Sequence, residues 1–486
     1  MLYNKINNNL YIIKKGEVLF FYNTISFMKE YDVIIVGGAT SGSYFAKLLA
    51  QNGHKVLVLE KNSKSKVGSK YDIFHMPKKD FTHFDVPLPK KGDKEWAFEF
   101  ERNVSLSAEN KYPKVTSLEV VGLHMHEYVE CLNDWAMSYG AEYLYEAYFK
   151  KVLYEDNMVV GLVYEKDGQE IEIKSKLVAD CSGIPSVVRR NLKEDSIIET
   201  FEISPLDMFY VILRYVTYKN EEDYINGSRG WLYYKTWEAP QPNEKGAILG
   251  IGANISFDYA NKLWLDFESK VKLPEYTRDY IEKGFTPFRR PPYSFVDDGV
   301  IVMGDAACLT KPFNGEGVVS SWVQTVIAAD VVNKCLTENL ILDKTNLWPI
   351  NVRYIEEQGA KFASSLATAI GAVSTLEKEN NFFYEKDIIF SESSFNHMNY
   401  HNEMAFSSKE LSKIVRTLIK GLFTKKVTMK TLKALLKSLS NGGKIKDHYL
   451  QFPKTPAGFK LWCEEAEMIW EKIGTIADSI PESERM

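Results

Sequence analysis

A glycine-rich turn between two short buried strands is the part of this sequence best suited to chemistry. The turn reads Gly37-Gly38-Ala39-Thr40-Ser41-Gly42, and it follows the β-branched run 32–36. A segment with helical spacing, 44–51, comes next, and a second apolar run ends at Glu60. The glycines permit a tight turn and close helix packing, so that the first helical N–H groups point at a diphosphate. The carboxylate of Glu60 is then placed to accept hydrogen bonds from a ribose.

One position in the turn differs from the usual glycine pattern. Ala39 stands where backbone must approach a pyrophosphate, and its methyl group is small enough to be tolerated. A glycine-rich turn that binds no ligand is the alternative interpretation of this stretch alone.

Length, composition and charge narrow the class of protein. A chain of 486 residues is long enough for two or three domains. Its content of 26% charged and 45% hydrophobic residues is typical of a soluble globular protein, and the net charge of −5 gives no reason to expect nucleic acid. Five cysteines without a C-x-x-C pair argue against iron–sulfur clusters, structural zinc and disulfides, and they fit a reducing cytoplasm. No apolar run approaches the length of a transmembrane helix, and we expect no metal site.

The remaining periodicity predicts further strands and a helical end. Alternating runs at 149–154, 159–165 and 170–173 predict a three-stranded meander. Residues 81–100, with two prolines and several aromatic residues, are expected to form irregular structure or edge strands. Aromatic strand-like runs between 196 and 290 indicate a separate binding sheet, whereas the region after 346 has mostly helical spacing.

These patterns divide the chain into four parts. Residues 1–27 are predicted to be a poorly ordered extension, because the first strand of such a fold usually begins within a few residues of the start of the chain, and Met28 is the residue placed for that start. The other predicted parts are a discontinuous nucleotide-binding domain (28–80, 114–195 and 292–345), a substrate-binding β-sheet domain (81–113 and 196–291) and a helical C-terminal region (346–486).

Two later segments place small and polar residues at the ends of buried strands. The first reads Cys181-Ser182-Gly183-Ile184-Pro185-Ser186-Val187-Val188-Arg189-Arg190. The second is Gly304-Asp305-Ala306-Ala307, followed by Pro312 and by Gly315-Glu316-Gly317. The last triplet opens an apolar helix, so that the positive end of the helix dipole is available to a ligand.

Together the three stretches resemble the FAD-binding motifs of the flavin monooxygenase-like superfamily. The Gly-Glu-Gly ending most resembles the geranylgeranyl reductase branch of that superfamily, and the resemblance covers roughly residues 28 to 345. It implies an α/β fold with a Rossmann-type FAD-binding domain, a β-sheet substrate domain and a helical C-terminal region.

The resemblance also implies roles for individual residues. Glu60 would hold the adenosine ribose, Val152 would lie beside the adenine, and Asp305 would hold the ribityl chain. The helix that begins after Gly317 would face the flavin N1–O2 edge, where negative charge accumulates on reduction. The predicted FAD-binding residues are Gly37, Gly38, Ala39, Ser41, Gly42, Glu60, Lys61, Val152, Gly183, Gly304, Asp305, Pro312, Gly315 and Gly317.

Three functions are compatible with such a site. The geranylgeranyl reductase resemblance implies reduction of carbon–carbon double bonds in an isoprenoid or lipid-like substrate. The alternatives are a monooxygenase that hydroxylates or epoxidises a small hydrophobic substrate, and a flavin-binding electron-transfer partner without its own reaction. The cysteine–glycine pair of many geranylgeranyl reductases is absent from 66–72, which leaves the specific substrate open. The electron donor stays unidentified, because the sequence has no second nucleotide motif.

Tyr71, His75 and Tyr234 are the candidate polar groups near the flavin ring. A histidine after a strand is more often structural than a proton donor, and tyrosines are more often core residues, so packing is the alternative for all three.

The segment 407–446 combines many lysines with apolar residues at helical spacing. Two interpretations are open. The more common arrangement is that the apolar faces pack on the protein and the lysines are solvated; the other is peripheral contact with an anionic membrane, which would suit a lipid substrate.

Overall fold

The structure is a computed structural model. It describes residues 30–68, 72–243, 245–312, 315–372, 375–401 and 406–475, together with the backbone of three short strands earlier in the chain. The strands are β1 (Tyr3–Ile6), β2 (Asn9–Lys14), β3 (Glu17–Phe21), β4 (Glu30–Val36), β5 (Val56–Glu60), β6 (Ile73–Pro77), β7 (Trp96–Ser105), β8 (Lys114–His124), β9 (Glu142–Tyr145), β10 (Tyr148–Glu155), β11 (Met158–Lys166), β12 (Gln169–Asp180), β13 (Met208–Tyr218), β14 (Ser228–Trp231), β15 (Thr236–Pro240), β16 (Gly246–Asn254), β17 (Tyr276–Pro287), β18 (Val296–Asp297) and β19 (Val300–Val302).

The helices alternate with strands in the first part of the chain and follow one another in the last. They are α1 (Thr40–Ala50), α2 (Lys78–His83), α3 (Met125–Ser138), α4 (Phe257–Lys270), α5 (Val318–Thr337), α6 (Lys344–Leu347), α7 (Pro349–Tyr354), α8 (Ala360–Ala372), α9 (Glu377–Glu385), α10 (Glu392–His401), α11 (Ser408–Phe423), α12 (Met429–Tyr449) and α13 (Phe459–Ile473). Among the described residues, no helix is both long and apolar enough to cross a membrane.

The first large sheet has the order β10-β11-β12-β4-β5-β9, with β19 paired to β12. Strands β12, β4, β5, β9 and β19 run parallel, whereas β10, β11 and β12 form an antiparallel meander. The parallel strands β4, β5 and β19 are short apolar runs that are mostly buried on both faces, as expected where helices cover both sides of a sheet, whereas the edge strand β9 is only partly buried. This arrangement confirms the predicted α/β fold and its meander.

The second large sheet has the order β17-β13-β16-β15-β14-β7-β8-β6. Strand β16 is buried along its whole length because both faces of this sheet are covered. Its residues Leu249 and Ile251 pack with Trp264 and Phe267 of α4, and Ile248 points to the opposite face.

The topology corrects two expectations from the sequence. Residues 81–100 were expected to be irregular or edge strands, but β7 lies inside the second sheet between β14 and β8. Strands β6 and β8 also pair in this sheet, although residues 73–77 and 114–124 were assigned to the nucleotide-binding domain. Such pairing joins segments that are distant in sequence, so local periodicity does not reveal it. The other domain boundaries stay predictions.

In the predicted extension 1–27, the structure describes only the backbones of β1, β2 and β3, which pair as a small antiparallel sheet. The other residues of the extension lie outside the described residues, and its poor order stays a prediction.

Candidate functional site

The first segment of the site is the turn between β4 and α1. Gly37 has a φ of +109°, and a Cβ atom added there would lie 2.2 Å from the carbonyl oxygen of Cys181. A Cβ added at Gly42 would lie 2.0 Å from the carbonyl oxygen of Gly37. Glycine is therefore required at both positions, because the turn is pressed between α1 and the end of β12.

Glu60 lies at the end of β5, beside this turn, and its side chain is buried. The carboxylate accepts hydrogen bonds from the Gly38 N–H at 2.9 Å and the Asn62 N–H at 2.8 Å. Each carboxylate oxygen has a further lone pair, so Glu60 is held in one orientation and can still accept from a ribose hydroxyl. Lys61, which follows it, is exposed.

The second segment follows β12 and is organised by Asp180, a residue that sequence analysis missed. Its buried carboxylate accepts from the backbone N–H groups of Ser182, Val188 and Arg189, at 3.0, 3.1 and 2.7 Å, and from the Ser182 hydroxyl at 2.6 Å. Burial raises the pKa of Asp180 and these hydrogen bonds oppose that effect. Gly183 lies in the loop that these hydrogen bonds hold in place. Its φ is +74°, and a Cβ atom added there would have only Pro185 within 4.0 Å. A charged residue ending a buried strand was the available signal for Asp180.

Arg189 connects the second segment to the third. Its guanidinium is fully buried and donates from Nε to the Ala306 carbonyl oxygen at 2.9 Å, and from Nη1 to the carbonyl oxygens of Glu199 and Phe201. Burial lowers the pKa of Arg189. The Arg189 side chain therefore fixes the turn 304–307, and it was also absent from the predicted site.

The third segment begins where β19 ends. Gly304 has a φ of +61°, and an added Cβ would lie 2.8 Å from Oγ of Ser41, at the start of α1. Asp305 Oδ1 lies 3.2 Å from the position of a Cβ on Gly317, the residue that precedes α5. The structure therefore brings Ser41, Gly304, Asp305 and Gly317 together, as the sequence motifs predicted.

The loop between Gly304 and α5 lies against the second sheet. Thr310 and Thr286 of β17 share a hydrogen bond of 2.7 Å between their hydroxyl groups. Gly315 would place a Cβ 3.8 Å from the ring of Phe209 on β13. The buried Lys311 lies within the same loop and forms an ion pair with Glu316 at 3.4 Å. This loop is where the nucleotide-binding fold meets the second large sheet.

His75 on β6 faces an apolar surface of the second sheet. Its ring centroid lies 5.4 Å from that of Phe98 and 6.0 Å from that of Phe100. Its Nε2 is buried without a hydrogen-bond partner among the described residues. Burial lowers the pKa of His75 to about 4, and the negative charge of Glu316 partly opposes this shift.

The other candidate polar groups are not gathered with His75. Tyr234 packs against Phe267 of α4, with ring centroids 5.5 Å apart, in a core cluster that also contains Trp231. Burial raises the pKa of Tyr234, and these contacts favour a packing role. Tyr71 lies outside the described residues. Val152 is buried in β10, and its place beside an adenine stays a prediction.

Two helix N-termini make the converging segments suitable for FAD. Helix α1 begins after Ala39 and α5 begins after Gly317, and neither residue has a side chain that can accept from the free N–H groups of the first turn. A diphosphate at α1 and the electron-rich edge of a flavin at α5 would satisfy those donors. The carboxylates of Glu60 and Asp305 supply acceptors for sugar hydroxyls. The residues present therefore fit FAD.

Sequence comparison agrees with this geometry. A family profile described as "FAD binding domain" matches residues 30–226. Digeranylgeranylglycerophospholipid reductase from Sulfolobus acidocaldarius is 25% identical over 460 residues, which cover 91% of this chain and 98% of that protein. The chain is an FAD-dependent oxidoreductase. The resemblance of this flavoprotein to the geranylgeranyl reductase branch of the flavin monooxygenase-like superfamily is confirmed.

Solved structures show the same fold. A geranylgeranyl bacteriochlorophyll reductase-like protein from Thermoplasma acidophilum matches the flavoprotein with a TM-score of 0.60 and 18% identity, covering 85% of this chain and 100% of that one. The p-nitrophenol 4-monooxygenase from Pseudomonas putida matches with a TM-score of 0.56 and 15% identity, covering 82% and 98% respectively. At these identities the likeness concerns the fold alone.

Proposed function

We propose that this flavoprotein reduces carbon–carbon double bonds in the isoprenoid chain of a lipid-like substrate. The reductase from Sulfolobus acidocaldarius, which is similar over nearly its whole length, is named for a digeranylgeranyl phospholipid. The observation that carries the proposal is this similarity, together with the aromatic surroundings of His75, which we call the apolar face. Phe98 and Phe100 pack there in a core cluster and are each 7% exposed, and the same sheet contacts the loop between Gly304 and α5 through Phe209. Such apolar surroundings are compatible with a hydrocarbon chain.

FAD, when bound and reduced, supplies a hydride. The residues of this chain then have three tasks. Glu60 and Asp305 hold the sugar hydroxyls, and the N-terminus of α5 stabilises negative charge on the cofactor. The apolar face excludes water and aligns the double bond.

Reduction of a double bond also requires a proton at the second carbon. We propose that Nε2 of His75 donates it, because this buried ring nitrogen has no described protein partner and lies on the apolar face. As hydride adds to one carbon of the double bond, the protonated ring would give its Nε2 proton to the other carbon, and the neutral ring would then take up a proton from solvent. Because burial lowers the pKa of His75 to about 4, the ring is mostly neutral near pH 7, and donation depends on its small protonated fraction. Tyr71 and Tyr234 remain proposals of lower priority, since no described contact joins either to this face.

Product analysis with and without oxygen tests the reaction. The FAD-loaded protein, reduced chemically, is incubated with geranylgeranyl phospholipid and the lipid is examined by mass spectrometry. We expect a gain of two hydrogen atoms per reduced bond whether or not oxygen is present. A product that gains an oxygen atom, formed only in air, would instead establish a monooxygenase. The monooxygenase is the second candidate function, because the P. putida monooxygenase shares the fold.

We also propose that the flavoprotein meets its substrate at a membrane surface. The related reductases are named for a phospholipid, and long isoprenoid chains are scarcely soluble in water. The electron donor and the oligomeric state are left open by the described residues.

A further inference from the structure

Helix α11 leaves a stripe of apolar side chains uncovered. Its inner face packs through Ile414 and Leu418 on Phe382 and Phe383 of α9. Four further apolar residues are spaced four apart and lie outside that contact, exposed by between 39% and 83%: Leu411, Val415, Ile419 and Phe423. Residues at this spacing lie on one side of a helix. The apolar arc of α11 is therefore wider than the protein covers.

The exposed surface continues onto α12. This helix begins at Met429, six residues after Phe423, and both Met429 and Leu436 are about half exposed. Its N-terminus is fixed to α9, because the buried Glu379 accepts from the Thr428 N–H at 2.7 Å and from the Thr431 hydroxyl at 2.7 Å. Further along, Gly442 of α12 lies against Thr368 and Ser364 of α8. The inner faces of α11 and α12 are thus packed on other helices, and their outer apolar residues are exposed to solvent. We call Leu411, Val415, Ile419, Phe423, Met429 and Leu436 the outer stripe.

The outer stripe does not hold the two helices in place. The N-terminus of α11 is closed by a capping box, in which the Glu410 N–H donates to Oγ of Ser407 and the Ser407 N–H donates to the Glu410 carboxylate. Thr428 caps α12 by accepting from the Thr431 N–H at 3.2 Å. Together with the inner contacts on α9, these caps account for the local fold. The exposed apolar residues therefore need another explanation.

The charge of the same segment indicates what covers the stripe. Residues 407–446 contain eleven lysines and arginines and one acidic residue, Glu410, which gives a net charge of +10 in a chain whose total is −5. Lys425, Lys426 and Lys430 are exposed and lie in sequence between and beside Phe423 and Met429. An apolar stripe flanked by a basic surface is complementary to an anionic lipid bilayer, where headgroups neutralise the lysines and the outer acyl region takes up the apolar side chains.

We propose that the α11–α12 surface docks on an anionic lipid bilayer, with the outer stripe inserted in the interfacial region. The proposal does not depend on the reaction of the flavin, because it stands on exposure and charge alone.

Co-sedimentation of the full-length, FAD-loaded protein with vesicles tests the docking. Vesicles of phosphatidylglycerol and phosphatidylcholine should bind the protein at low salt, phosphatidylcholine alone should bind it much less, and high salt should release it. The variants Ile419→Glu with Phe423→Glu, and Lys425→Glu with Lys426→Glu and Lys430→Glu, should each weaken binding at least about tenfold. Leu265→Glu is the matched control, since Leu265 of α4 is 65% exposed but lies outside the segment; its binding should equal that of the native protein.

Several results would overturn the docking proposal. These are no binding to anionic vesicles at low salt, or equal binding by the two variants and the native protein. A soluble dimer that becomes a monomer on Ile419→Glu with Phe423→Glu would assign the stripe to a second copy of the chain instead. Flavin absorbance and circular dichroism confirm that each variant is folded. Reduction of isoprenoid in detergent measures the proposed reaction separately, so that failure of one proposal is distinguishable from failure of the other.

Discussion

Glycine serves different purposes in the two large sheets. Beside the FAD-binding sheet, Gly42 at the start of α1 allows backbone to approach backbone, because an added Cβ would lie 2.0 Å from the carbonyl oxygen of Gly37. In the second sheet, Gly252 and Gly250 allow aromatic rings to lie flat on the strand. Added Cβ atoms there would come within 2.1 Å of the ring of Phe209 and 2.2 Å of that of Trp237.

The two kinds of glycine contact differ in which function we expect them to serve: the first in binding the cofactor, the second in forming a surface for the substrate. The backbone contact at Gly42 holds the positive end of α1 against the site and leaves little freedom. The ring contacts at Gly250 and Gly252 form an apolar floor whose shape depends on which rings are present. We therefore expect changes in the first sheet to abolish FAD binding, and changes in the second to alter stability and substrate binding while FAD is retained.

The largest effect is expected from Gly42→Ala. The added methyl group would collide with the Gly37 carbonyl oxygen, so α1 must move away from the turn, at a loss of about 4 kcal/mol in the free energy of unfolding. The purified variant should contain almost no FAD, measured as flavin absorbance per protein. Gly230→Ala is the control, because an added Cβ at Gly230 meets no atom within 4 Å. A Gly42→Ala protein that binds FAD normally would contradict the claim that the backbone contact at Gly42 is needed for FAD binding.

Asp305→Ala should weaken FAD binding by about a hundredfold without unfolding the protein. The substitution removes a carboxylate that faces the start of α5, whereas the backbone of the turn 304–307 stays fixed by Arg189. Titration of the apoprotein with FAD, followed by flavin fluorescence, measures the effect. The FAD affinity of Asp305→Asn, which keeps an acceptor oxygen, should lie between those of the native protein and Asp305→Ala. A stoichiometrically loaded Asp305→Ala protein would contradict the assignment of this carboxylate.

Acid should destabilise the second sheet through His75. The pKa of His75 falls from an ordinary value near 6.5 to about 4 in the folded protein because of burial, so the unfolded chain binds more protons between these values. Stability is then full above about pH 7 and falls as the pH drops toward 4, by roughly 3 kcal/mol at most. Burial raises the pKa of Asp80 to about 6, which acts in the opposite direction over the same window. Urea unfolding of the native protein and of His75→Gln at several pH values separates the contribution of His75 to the pH dependence of stability from that of the other groups. An identical pH dependence in both proteins would refute its burial as a neutral group.

Gly252→Ala should have a smaller effect than the changes above. The Phe209 ring must tilt off the sheet, which costs about 1–2 kcal/mol of stability, but FAD should be retained. Adding Phe209→Leu should recover part of the loss, since the smaller side chain frees the space above residue 252. Urea unfolding and lipid-binding assays on Gly252→Ala, with and without Phe209→Leu, measure how strongly the two substitutions are coupled. Loss of FAD in Gly252→Ala would remove the distinction between the two sheets.

The parts of the site that could be predicted from sequence are those encoded by contiguous residues. The turn 37–42, Glu60 and the pair Gly304-Asp305 were predicted as site residues because spacing along the chain fixes their geometry. Asp180 and Arg189 were missed because their roles depend on hydrogen bonds across segments, such as the one from Arg189 to Ala306.

Elsewhere in the molecule, contacts between residues distant in sequence limited what could be predicted from the sequence. The position of β7 inside the second sheet, and the contacts of Gly250 and Gly252 with distant rings, depend on tertiary packing. Amphipathic spacing predicted α11, but only its contact with α9 decides which part of the apolar arc is covered. The simpler interpretation of 407–446, with apolar faces packed on the protein, therefore describes the inner face alone.

The most direct test of the proposed reaction is a single-turnover measurement without oxygen. The FAD-loaded protein is reduced with dithionite under anaerobic conditions and mixed with a geranylgeranyl lipid, and the absorbance of oxidised flavin is followed. We predict that this absorbance returns at a rate that rises with lipid concentration, and that one double bond is reduced per flavin reoxidised. Flavin that stays reduced until oxygen is admitted, with the lipid unchanged in its absence, would contradict double-bond reduction.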